Sequence, residues 1–303
     1  MFRPRILRAA RIPQASAGHA APSPLSVSVS MSQRRSNHSV NPLPHNFEKG
    51  VPGFLSANAF SIAWTEYQTL MIKKLNSLVA GTDYEAKEMK HIILNSSREP
   101  GEASIFNYAS MAHNNEFFFQ KLSPQKVKMP EQLKKALVES FGSIETLRDE
   151  MLGTANAMFG PGFVWLVKAE QPGMTNAFKV LATYNAGSPY PGAHWRRQDI
   201  DLNTAAGAGD PAGIAAGRKY LDNTAYGTGR YSAEAEQRLA TPPGGTNINP
   251  VLCLNTWEHV WVPDYTVGLV GGGKAEYGAK WWDKINWEKV CTDANLEQKK
   301  FKN

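Results

Sequence analysis

The stretch LNTWEHVWVPDY, Leu254 to Tyr265, carries the triplet Trp257-Glu258-His259. A neutral histidine nitrogen is a common metal ligand, and a neighbouring carboxylate can orient it. Asn255, however, stands where an anionic ligand would be expected, and its carboxamide is neutral. A second source of ligands is the pair His113 and Glu116, whose spacing places both on one face of a helix. Joined to His259 they would make a relocated site, although a histidine among polar neighbours is more often simply hydrogen-bonded. Cys253 and Cys291 are too few for a disulfide framework and read as core or surface thiols.

The elements that must position these residues follow from periodicity. From Ala59 to Val79, Phe60, Ile62, Tyr67, Leu70, Met71, Leu75 and Leu78 recur at helical spacing without an intervening proline. A short helix is expected from about Glu85 to Leu94. A second long helix, Ala103 to Leu122, is apolar on more than one face and should lie inside the fold. Glu131 to Gly142 reads as an amphipathic helix, and Ser143 as the N-cap of another that runs to about Met158. Three short stretches rich in β-branched and aromatic residues then predict strands: Phe163 to Glu170, Phe178 to Asn185 and Val251 to Trp257. Between the second and third lies a Gly/Ala/Pro/Asn-rich insertion at about 186–249, too long for an ordinary loop. Lys274 to Val290 returns to helix. Helices, a small antiparallel sheet and helices again make an α+β fold.

The chain has 303 residues and a formal charge of +6. The excess lies in the first forty residues, which hold six arginines (Arg3, Arg5, Arg8, Arg11, Arg34, Arg35) and no acid. Without them, 27 basic residues face 27 acids, so the rest is formally neutral. An Arg- and Ser-rich start with interleaved apolar residues fits a mitochondrial presequence over 1–40. No apolar run reaches the length of a membrane-spanning helix. A neutral body is not built to coat RNA by bulk charge, and contacts to rRNA would come from local clusters: Arg196 and Arg197, Arg218 and Lys219, Lys299 and Lys300. Trp257, Trp261, Trp281, Trp282 and Trp287 read as core and interface aromatics rather than a base-stacking platform.

FNYASMAHNNEFFFQKLSP, ESFGSIETLRDEM, FGPGFVWLV, LNTWEHVWVPDY and WWDKINWEKV occur in the order found in the iron/manganese superoxide dismutase family, which the chain resembles over most of Ala59 to Val290. The resemblance implies a helical hairpin domain over 41–124, followed by an α/β domain over 125–303. It also implies four metal ligands, which fall here at Ala63, Asn115, Asn255 and His259. Of these, only His259 keeps a ligating side chain. The glutamine that tunes metal-bound solvent in many members falls near Phe159. The expectation is therefore no metal, no cofactor and no catalysis. In that family the Glu and His of the triplet meet their counterparts across a twofold axis, which gives Glu258 and His259 a role at a dimer interface.

A degenerate dismutase behind a presequence is similar to the fungal mitochondrial small-subunit ribosomal proteins of this ancestry. That likeness implies a structural role in the mitochondrial matrix, a second dismutase-like chain as heterodimer partner, docking on other small-subunit proteins and limited rRNA contact. Two alternatives stand beside it: an active matrix dismutase with relocated ligands, and a dismutase-like binding module of another mitochondrial assembly.

Overall fold

The computed structural model describes residues 38–97, 99–171, 174–193, 247–269 and 271–296. The chain from 36 onward forms one compact unit. Its first described residues are already engaged, since Asn76 Nδ2 donates to the His38 carbonyl at 2.8 Å and Val40 packs against the core.

The first long helix begins as α1 (Ala57–Phe60), passes through a π-helical segment (Ser61–Glu66) and continues as α2 (Tyr67–Val79). Ser56 caps it by accepting from the Ala59 amide. On α2, Met71, Ile72, Leu75 and Val79 are buried at helical spacing, and Gln68 is buried with them. Leu70 and Leu78 fall on the outer face and are exposed. The expected helix at 85–94 is displaced to α3 (Met89–Ser96). Thr82 and Glu85 instead bond nearby backbone, which favours turns over helix in the segment before it. Helix α4 (Ala103–Phe119) is buried on several faces, from Ala109 to Phe119. It packs against α2 and α3 on one side and against the sheet on the other. Helices α5 (Glu131–Phe141) and α6 (Ile144–Ala157) follow, with Ser143 Oγ accepting from the Thr146 amide as its cap.

The sheet consists of β1 (Gly162–Gln171), β2 (Met174–Tyr184) and β3 (Ile248–Asn255). It is antiparallel in the order β2-β1-β3. Central β1 is a continuous buried run from Phe163 to Val167, as a strand covered on both faces requires. Pro250 is tolerated because β3 is an edge strand in this sheet and its register with β1 shifts at that point. The insertion expected at 186–249 gives way to strand at Ile248, and its residues 194–246 lie outside the described residues.

Helix α7 (Glu258–Tyr265) has no counterpart in the sequence expectation, because Pro263 signals a break. Tertiary bonds hold it: Trp261 Nε1 donates to the Thr256 carbonyl at 3.1 Å, and Tyr265 Oη to the Phe54 carbonyl at 2.6 Å. The single helix expected from Lys274 to Val290 is two, α8 (Gly273–Trp282) and α9 (Trp287–Ala294). The break is tertiary in origin. The Ser123 amide donates to the Lys284 carbonyl and the Asn286 amide to the Lys121 carbonyl, both at 2.8 Å, while Asn286 caps α9. The buried Lys121 pairs with Asp293 and ties the end of α4 to α9.

One apolar cluster runs through both expected domains, from Phe47, Phe60 and Phe119 to Leu133, Trp165 and Trp281. No helix among the described residues is long and apolar enough to cross a membrane.

Two glycine substitutions should move stability in opposite directions. A Cβ on Gly162 would lie 2.2 Å from the Thr183 carbonyl oxygen, so Gly162→Ala is expected to cost about 1–3 kcal/mol. Gly153 on α6 faces open space, so Gly153→Ala should gain about 0.5–1 kcal/mol. Thermal melts of the two variants check both signs.

Candidate functional site

The positions implied by the family resemblance converge between the first helix, α4 and the end of β3, but as a hydrogen-bonded lock. Asn115, fully buried on α4, donates through Nδ2 to the Ala63 carbonyl and to Gln68 Oε1, each at 3.0 Å. Its Oδ1 accepts from Asn255 Nδ2 at 3.3 Å. Gln68 Nε2 in turn donates to the Ala112 carbonyl at 2.9 Å. Ala63 lies in the π-helical segment, a distortion that re-aims side chains and backbone groups along a helix.

Asn255 ends β3 opposite Phe163. Its Oδ1 accepts from the Trp257 amide at 2.9 Å, the local turn that asparagine favours. Its carbonyl accepts from Tyr277 Oη at 2.8 Å. Thr256 closes the corner by donating from its amide and its hydroxyl to the Gly162 carbonyl. A strand end held by this many bonds fixes where Trp257, Glu258 and His259 emerge.

His259 is set against the first helix by stacking on Tyr67, with ring centroids 4.1 Å apart and planes 25° from parallel. Its Nε2 is buried without a hydrogen-bond partner among the described residues. Burial pushes the imidazole down to about pKa 4, so it is neutral near pH 7. Tyr67 is held protonated, its hydroxyl raised to about 12 by burial and then by Tyr108. Glu258 is exposed at the start of α7.

This donor set does not fit a manganese or iron centre. Ala63 offers a methyl group. The amide nitrogen of Asn115 is no ligand, and its oxygen already accepts from Asn255. Asn255 spends its own oxygen on the Trp257 amide. One imidazole remains, a weak site for any first-row ion. His113 does not join it: His113 Nε2 pairs with Tyr190 Oη at 3.0 Å, and Glu116 accepts from Asn41 and Gln120. No three His, Cys, Asp or Glu side chains are grouped as metal ligands among the described residues.

Phe159 is not near the lock in any role that could tune it. It sits on the turn before β1 and is 97% exposed. Trp261, Trp281 and Trp287 are buried, and Trp257 and Trp282 half-buried against the core. Cys253 is a buried free thiol and Cys291 a half-buried one. The clusters at Arg196, Arg197, Arg218, Lys219, Lys299 and Lys300 lie outside the described residues. Sequence reasoning missed Gln68 and Tyr67. The available signal for the first was a polar side chain on the buried stripe of a helix, three residues before Met71 and seven before Leu75.

Asn115→Leu should leave the Ala63 carbonyl and the Gln68 and Asn255 amides without their partner. The expected loss is about 3 kcal/mol, seen as a fall of several degrees in Tm. The histidines make stability pH-dependent. Both His113 and His259 sit at about pKa 4, below the ordinary 6.5 of the unfolded chain. The unfolded state therefore binds more protons between these values. Their effect should be absent above about pH 6.5, destabilise progressively as pH falls to about 4, and then level off. Melts across this range should show a shallower loss in His113→Gln.

The family model for the C-terminal domain of iron/manganese superoxide dismutases matches residues 129–196 and 230–293. The chain is 28% identical over 274 residues to small ribosomal subunit protein mS43 of Schizosaccharomyces pombe, covering 87% of this chain and 88% of the relative. It is 30% identical over 206 residues to mS42 of the same organism, covering 66% and 70%. An iron superoxide dismutase of Helicobacter pylori is 31% identical over 136 residues, 45% of this chain and 60% of the enzyme. With its fold, its motif order and these relatives, the chain belongs to the iron/manganese superoxide dismutase family.

Proposed function

We propose that the chain is a structural, non-catalytic subunit of the small subunit of the mitochondrial ribosome, in the matrix. The observation that carries this reading is the commitment of Asn115. Dismutation needs a redox ion held at a tuned potential by a complete shell. Here the side chain on α4 that the family resemblance assigns to that shell is tied by three hydrogen bonds to the first helix and β3. Relatives that bear ribosomal names match most of this chain.

The partner is a second dismutase-like chain. Glu258, exposed, and His259, whose buried nitrogen has no partner among the described residues, lie at that contact. A charge-assisted bond across the interface would orient the imidazole. Most remaining contacts are to other small-subunit proteins. The formal neutrality of the chain after residue 40 limits rRNA contact to local basic clusters.

Sedimentation of mitochondrial lysate on a density gradient tests the assignment. The chain should comigrate with intact small subunits. Its recovery in the light fractions, while small subunits migrate intact, would refute the ribosomal role.

A further inference from the structure

The chain enters the fold already bonded to it. The His38 carbonyl accepts from Asn76 Nδ2 on α2 at 2.8 Å, and Asn41 Nδ2 donates to Glu116 Oε1 on α4 at 2.8 Å. Val40 and Leu43 pack against the core. His38, Ser39 and Asn41 line a cavity together with Met89 of α3 and with His113 and Glu116 of α4. Phe47, 2% exposed, anchors the segment through an edge contact with Phe60. Residues 38–47 therefore form a strap bonded to the first helix and to α4, within the compact unit that begins at Ser36.

The charge pattern of the sequence changes at the same point. All six arginines of the acid-free start precede Ser36, and after Arg35 neither Lys nor Arg occurs before Lys49. The basic composition that marks a presequence thus ends at Arg35, short of the limit at 40. A leader is discarded, whereas residues that the finished fold uses are kept, and the cost of a truncation follows from the bonds and burial it removes. Loss of residues 1–40 would take away the acceptor of Asn76 and the side chain of Val40. Loss of residues 1–35 takes away no part of the compact unit.

We propose that a processing endopeptidase of the matrix cuts the chain immediately after the Arg34–Arg35 pair, so that the mature protein begins at Ser36 or Asn37. This rests on the mitochondrial reading above and on the presequence expected from the sequence, and it names the bond at which that presequence ends. Water is the co-reactant. The peptide C–N bond breaks, the hydroxyl of water joins the carbonyl carbon of Arg35 or Ser36, and its other hydrogen leaves on the freed α-amino group. Two adjacent guanidinium groups give the protease fixed charges and bidentate hydrogen bonds by which to place that bond. Every strap contact lies at or beyond His38 and survives the cut.

The test imports the full chain into isolated mitochondria, recovers it from the matrix and reads its N-terminal peptide by mass spectrometry. The first residue should be Ser36 or Asn37. Arg34→Ala combined with Arg35→Ala, incubated as the full chain with a matrix extract so that import is not required, should lose that terminus and stay longer. A first residue at Asn41 or beyond, one upstream of Arg34, or an unchanged terminus in the double variant would overturn the proposal. The failures of the two readings are distinguishable. A full chain that does not enter mitochondria, or that enters and keeps Met1, refutes the mitochondrial reading or the presequence and the proposal with it, whereas a cut elsewhere in an imported chain refutes the proposed bond alone.

Discussion

The carboxamide of Asn115 is the joint on which the two halves of the fold meet. It reaches the first helix through the Ala63 carbonyl and Gln68, and the end of β3 through Asn255. All three polar side chains are fully buried, so each bond that failed would leave a donor or acceptor stranded away from water. A metal ion in a dismutase draws together ligands from separate elements; here neutral amides link the same elements through hydrogen bonds. The side chains at these positions are neutral, and each carboxamide oxygen already accepts one hydrogen bond.

Much of this was legible in the residues. Met71 and Leu75 on the first helix, the Ser143 cap and the continuous apolar run of β1 obey local rules, and each appears where its residues point to it, whereas Leu70 and Leu78 of the expected stripe are exposed. The convergence of Ala63, Asn115 and Asn255 was implied by a family resemblance rather than by spacing, since their separations in sequence carry no distance. What escaped was set by tertiary contacts. Pro263 argues against a helix that Trp261 and Tyr265 nevertheless secure. The break between α8 and α9 is imposed by ladder-like bonds from Lys121 and Ser123, far away in the chain. Gln68 reads as an unremarkable polar residue until the partner amide is in place. Phe159, near which the resemblance puts the family's tuning glutamine, is exposed on the turn before β1.

The surface follows a different logic from the interior. The basic excess of the chain is confined to the first forty residues, while Phe159, Val267 and Leu269 are among the most exposed large apolar side chains of the described residues. Burial of such side chains against a shaped partner is driven by the release of apolar surface from water.

Metal content tests the central claim most directly. The full chain, produced in medium supplemented with manganese and iron and purified without chelator, should carry far less than one equivalent of either ion by mass spectrometry, and added Mn²⁺ should leave its Tm unchanged. About one bound manganese or iron per chain, with a Tm that rises on metal addition, would contradict the account and return the fold to the enzymes.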